Sequence, residues 1–71
     1  MTPVEIAKVQ NYLRQTFDNH RIFIDRPRKP TAPIEVRVGQ NFIGVLHRDE
    51  DDGEVSYALN IPILDEDLDT A

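Results

Sequence analysis

Helical spacing of apolar residues stops at Phe17, and beyond it they recur at every second position between prolines and glycines. One helix is therefore available to cover a sheet, and a sheet has two faces. The start of that helix is marked three times over. In Thr2-Pro3-Val4-Glu5, threonine is the N-cap, proline takes the first helical position, and glutamate stands three residues after the cap to close a capping box. Ile6, Val9, Leu13 and Phe17 then form an apolar stripe, with Lys8, Asn11 and Gln15 on the far side. The spacing predicts a helix over 3–17, ended by the turn-forming Asp18-Asn19-His20.

The alternation that follows predicts strands at about 21–26, 34–38, 42–48 and 54–61. Between the first two, three prolines in Pro27 to Pro33 forbid a helix and favour an extended connector. Gly39-Gln40-Asn41 suits a tight hairpin, Asp49 to Gly53 reads as a five-residue acidic loop, and Pro62 closes the last strand. A loop of that length sets Arg48 opposite Glu54, Val45 opposite Tyr57 and Ile43 opposite Leu59. Ile34, Val36, Val38, Ile43, Val45, Tyr57, Leu59 and Ile61 then share the face on which the helix sits. The fold class expected is α+β, one N-terminal helix packed on an antiparallel four-stranded meander, as a single small domain over 1–71 with an acidic C-terminal tail at 65–71.

The same parity puts Phe23, Phe42, Leu46 and Ala58 on the helix-free face, with Gly44 beside them and Arg21, Arg37, Glu35 and Ser56 interleaved. A contiguous apolar patch of that kind marks an interface. Either a protein partner covers it, a second copy of the chain being one candidate, or Ile63, Leu64 and Leu68 of the tail fold back over it.

Stability sharpens the question. In 71 residues with no cysteine there is neither a disulfide nor a thiolate metal site, and a lone core of this size seldom supplies more than a few kcal/mol. Nothing at the N-terminus has the unbroken apolar run of an export signal and no stretch suits a membrane span, so a soluble, cytoplasmic protein with no membrane partner is expected. A net charge of −5 argues against nucleic acid or anionic lipid as a partner of the whole molecule. The charges are segregated, however. Five of the 8 basic residues lie within Arg21 to Arg37, and 9 of the 13 acids lie in Asp49 to Glu54 and Asp65 to Asp69.

Catalytic and metal chemistry find little support. An EF-hand loop begun at Asp49 would need glycine at its sixth position and glutamate at its twelfth. Glycine falls at the fifth and Asn60 at the twelfth, which leaves at most loose divalent-cation binding at 49–54. His20, in a turn, and His47, expected on the helix side, have no second histidine or cysteine at ligand spacing. Ser56, the only serine, lacks a glycine-flanked elbow and is expected on the face away from His47. No catalytic residue, metal ligand or cofactor is assigned, and the chain is expected not to be an enzyme. Arg26, Arg28 and Lys29 on the stiff connector are the residues suited to an anionic partner, nucleic acid or ribosome included, with Phe23 nearby for stacking.

Asn11-Tyr-Leu-Arg-Gln-Thr-Phe17, the run Phe42-Ile-Gly-Val-Leu-His-Arg-Asp-Glu-Asp-Asp-Gly-Glu-Val-Ser-Tyr57, and Ile63-Leu-Asp-Glu-Asp-Leu68 together carry a resemblance. The chain resembles, over nearly its whole length, a domain-of-unknown-function family of short alphaproteobacterial proteins. The resemblance implies a free-standing cytoplasmic bacterial protein whose tail belongs to the domain, with Leu64 and Leu68 anchoring a docked turn. It brings no activity and no site residue. The function expected from the residues is a non-enzymatic protein-interaction module, self-associating through the helix-free sheet face.

Overall fold

Helix α1 spans Pro3–Thr16 and begins as the capping box requires: Glu5 N donates to Thr2 Oγ1 at 3.1 Å and Thr2 N donates to Glu5 Oε1 at 3.0 Å. Phe17 is the C-cap, and Asp18 at φ 50° turns the chain out of the helix. Because the helix stops there, Phe17 is exposed instead of completing the buried stripe of Ile6, Val9 and Leu13. The computed structural model describes residues 1–29 and 32–68. Two connector positions, Pro30 and Thr31, and the last three of the tail lie outside the described residues.

Strands β1 (Ile22–Ile24), β2 (Ile34–Val38), β3 (Asn41–Asp51) and β4 (Glu54–Asn60) form one antiparallel sheet in the order β1-β2-β3-β4, and a 3₁₀ turn follows at Asp65–Leu68. The arrangement is the α+β meander with one helix on one face. The core is Ile6, Val9 and Leu13 from α1 against Ile22, Ile24, Ile34, Val36 and Leu46, with Met1, Val38, Ile43 and Leu59 packed around them.

Two details of register overturn the expected face assignments. The turn between β3 and β4 is not a five-residue loop but the dipeptide Asp52-Gly53, at φ 51° and 82°, the two positive values of a type I′ hairpin. β3 therefore runs on to Asp51, and Arg48 faces Tyr57, Val45 faces Asn60 and Leu46 faces Leu59. The shift from the expected pairing is odd, so every residue of β3 changes face relative to β4. The second detail is a bulge in β3: Val36 pairs with Gly44 but Arg37 with Phe42, and Ile43 is the extra residue. The bulge keeps Ile43 against the core while bringing Leu46 to the same face. Leu46, expected in an outer patch, is thus 3% exposed beneath the helix. Val45 and His47, expected on the helix side, lie with Asn60 and Ala58 on the other.

The β3 and β4 hairpin projects beyond the helix, and the molecule measures 45 × 24 × 23 Å. Among the described residues no helix is long and apolar enough to cross a membrane.

Candidate interaction surfaces

The helix-free face does not assemble the patch that parity suggested. Phe23, Arg37 and Phe42 stand in one cross-strand row. Arg37 lies 4.5 Å from the centroid of the Phe23 ring and Arg14, reaching over from α1, lies 4.9 Å from it, so cations occupy the ring faces. Arg37 Nε is 3.1 Å from both carboxylate oxygens of Asp25. Only Phe42 of that row is freely accessible, at 56% exposure. Ala58 pairs with His47, five residues along β3 from Phe42 and so about 15 Å away. Leu46 is on the opposite face. The described residues of the tail do not cover this surface either: Ile63, Leu64 and Leu68 are all exposed, although Asp67 N donates to Leu64 O within the turn.

The apolar surface that does exist lies on the helix side. α1 runs along β1 and leaves the helix-facing residues of β4 only partly covered. Between them is a groove of about 450 Å³, floored by Leu46 and Leu59 and walled by Val9, Tyr12, Leu13 and Tyr57. Tyr12 stands at its rim, 65% exposed.

One end of the groove is fixed by Glu5. Beyond its capping role, its Oε2 accepts from Arg48 Nε at 2.7 Å and from the Tyr57 hydroxyl at 2.6 Å, while Arg48 Nη1 donates to Glu50 at 3.1 Å. The backbone N–H of Thr2, the Tyr57 phenol and the Arg48 guanidinium, in that order of effect, hold the Glu5 carboxyl down at about 2. Tyr57, as donor to a carboxylate, is pushed up, and so is Arg48. Glu5 binds its proton less readily folded than unfolded, so stability rises with pH between about 2 and 4.5 and is lost as acid passes through that window. Thermal melts are expected to show the wild-type Tm dropping steeply across this range. Glu5→Gln is expected to start lower at neutral pH and to give a flatter profile; an unchanged slope would mean that Glu5 does not tie the helix to the hairpin.

The two edges of the sheet are treated differently. At β1, Gln10 Oε1 accepts from Ile24 N at 2.9 Å and Arg14 Nε donates to Ile22 O at 2.8 Å, so side chains of α1 occupy two of the outward backbone groups. At β4 the two-residue turn makes Asp51 and Glu54 a hydrogen-bonded pair. Alternation then directs Ser56, Ala58 and Asn60 toward β3, and the N–H and C=O groups of Val55, Tyr57 and Leu59 outward. This strand has no proline, lysine or bulge of the kind that guards an edge.

The remaining candidates are placed as follows. Arg26, Arg28 and Lys29 rim a shallow recess with Met1, Pro3 and Ile6 beside the start of α1. The acidic run is a strand end and a turn: Asp49, Asp51, Asp52 and Glu54 line one shallow recess with Val55 and Ser56, while Glu50 lies on the other face with Arg48. Among the described residues, no group of three His, Cys, Asp or Glu side chains could hold a metal ion. His47 and Ser56 share the outer face, against the expectation that they diverge. What the sequence reading missed was the second use of helix residues flanking the apolar stripe: Gln10 and Arg14, four apart on one side, cap β1, and Glu5 on the other side binds Tyr57.

A family model described as "Protein of unknown function (DUF3126)" matches residues 5–67. No curated protein and no solved structure matches the chain.

Proposed function

We propose that this chain, which belongs to the DUF3126 family of proteins of unknown function, is a small protein-interaction module that accepts an added strand at β4. The observation that supports this reading is the asymmetry of the edges. Gln10 and Arg14 cap two outward groups of β1, whereas Val55, Tyr57 and Leu59 present backbone groups that have no partner among the described residues, beside an apolar groove able to take alternate side chains of an incoming strand. Main-chain hydrogen bonds supply affinity in such docking, and the groove supplies selection. The module is non-enzymatic and cytoplasmic in this reading. Glu5, Arg48 and Tyr57, at one end of the groove, satisfy one another, which suits a strut better than a reactive centre.

Amide hydrogen exchange tests it. A synthetic peptide with the sequence of residues 54–60, or high concentrations of the protein itself, is expected to slow exchange at Val55, Tyr57 and Leu59 by about tenfold or more, because a newly bonded amide must open before it exchanges. The amides of Ser56 and Ala58, already bonded to β3, should change little. Open-edge rates at Val55, Tyr57 and Leu59 under both conditions would overturn the reading.

A further inference from the structure

The strand-accepting reading leaves the identity of the added strand open, and β4 itself supplies one. Resting on that reading, we infer that β4 pairs antiparallel with β4 of a second copy about a two-fold axis at Tyr57, joining two sheets into one continuous sheet.

The register follows from the residues. Only when Tyr57 meets its own copy do all the residues of Glu54–Asn60 find partners within the strand. Val55 then faces the partner's Leu59, Tyr57 the partner's Tyr57, and Leu59 the partner's Val55. These are the residues whose backbone groups point outward, so each pair exchanges two N–H···O bonds. Ser56 faces the partner's Ala58, and Glu54 faces the partner's Asn60. No like charges meet. Sliding the copies toward the turn brings the carboxylates of Asp51, Asp52 and Glu54 toward one another. Sliding them the other way runs the pairing past Asn60, where β4 ends and Pro62 follows.

Side chains and surface area support the same pairing. Val55 and Tyr57 are 42% and 38% exposed on the helix side, with Leu59 partly buried between them and the core. A two-fold axis normal to the sheet keeps both helices on one face, so the two grooves meet at the seam and these side chains close over it. The chain exposes 5863 Å², where the mass scaling for a compact monomer of 8.2 kDa gives about 4,500 Å². Its radius of gyration is 13.4 Å against about 11 Å expected for this length. The excess surface, above about 1,000 Å², exceeds the roughly 800 Å² per partner of a standard stable interface. The exposed Val55 and Tyr57 of the hairpin and the exposed Ile63, Leu64 and Leu68 of the tail both contribute to it.

A cysteine-free sequence makes the test clean. Ser56 and Ala58 are exposed on the outer face, away from the Glu5 network, and in the inferred register they form a close, non-hydrogen-bonded cross-strand pair across the seam, about 4.5 Å between Cα atoms, within disulfide reach. Oxidation of mixed Ser56→Cys and Ala58→Cys chains is expected to give the mixed disulfide in about tenfold excess over either self-linked product, which would require longer spans. Sedimentation of the wild type should show a dimer. Val55→Pro removes one outward N–H without touching the β3 ladder and should weaken association about tenfold or more, with its fold checked by circular dichroism. Wild-type protein that sediments as an 8.2 kDa monomer at millimolar concentration overturns the inference. So does a mixed disulfide no more abundant than the self-linked ones, which would place self-association elsewhere. If the protein is monomeric yet the 54–60 peptide still slows the outward amides, self-pairing fails while the strand-accepting reading survives.

Discussion

Cutting Leu46 back to alanine is expected to lower the unfolding free energy by about 2–5 kcal/mol, the range for removing a fully buried leucine side chain. The residue sits at the centre of the structure's main packing contact, 3% exposed between the α1 stripe and Leu59 across the ladder. A domain of 71 residues has roughly 4–10 kcal/mol to lose at typical per-residue stability, so this one truncation removes a large fraction of it. Urea melts should show a lower midpoint with an unchanged slope. Leu46→Glu goes further: a carboxylate would be buried with no partner, and the chain should be unfolded by circular dichroism at neutral pH. Had Leu46 belonged to an outer interface, the same substitution would have left a folded monomer. The two outcomes separate the faces directly. A folded, cooperative Leu46→Glu protein would contradict the register described above.

Gly44→Ala is expected to destabilise by about 1–3 kcal/mol, toward the upper end for overpacking. A Cβ at this position would overlap the carbonyl oxygen of Asn60 and press on Ile61 Cα at 3.2 Å. Both obstacles are backbone, which cannot swing aside as a flexible side chain can. Gly44 pairs with Val36, the most deeply buried residue, immediately beyond the Ile43 bulge, so any displacement is transmitted to the core. The measurement is again a denaturant midpoint. Gly53→Ala serves as the control for glycine content: a Cβ there meets open space, and its cost comes from the φ of 82° alone. Equal effects at the two positions would show that the close approach of Asn60 is not what requires glycine at 44.

The start of the helix was legible because three local rules agree at Thr2-Pro3-Val4-Glu5, and each concerns contacts within four residues, whereas the exposure of Phe17 at its C-cap was not. Strand existence and order were legible for the same reason. Face assignment was not, since it depends on single-residue register. Asp52-Gly53 is the strongest short-range hairpin signal in the chain, yet the surrounding carboxylates make the whole run resemble a loop. In the structure charged residues at 49–51 are tolerated in a strand because that part of the hairpin stands clear of the core. The bulge at Ile43 has a weaker mark, the adjacent Gly44. The edge caps of Gln10 and Arg14 and the bond from Tyr57 to Glu5 are pairings between distant positions, which neither periodicity nor spacing encodes.

Strand order in this sheet repeats chain order, and that bears on how the molecule is assembled in time. Each ladder closes on its nearest neighbour in sequence; β2 and β3 are joined by the two residues Gly39-Gln40, and the two longest strands, β3 and β4, by Asp52-Gly53. Loop-closure entropy is therefore small at the two hairpin turns, larger at the connector between Ile24 and Ile34, and largest in the docking of α1, whose Glu5 must find Tyr57 across 52 positions of chain. The residue that opens the helix is the one that records whether the last hairpin is in place. Closing that contact joins the two ends of the folding unit, so helix and hairpin are retained or lost together.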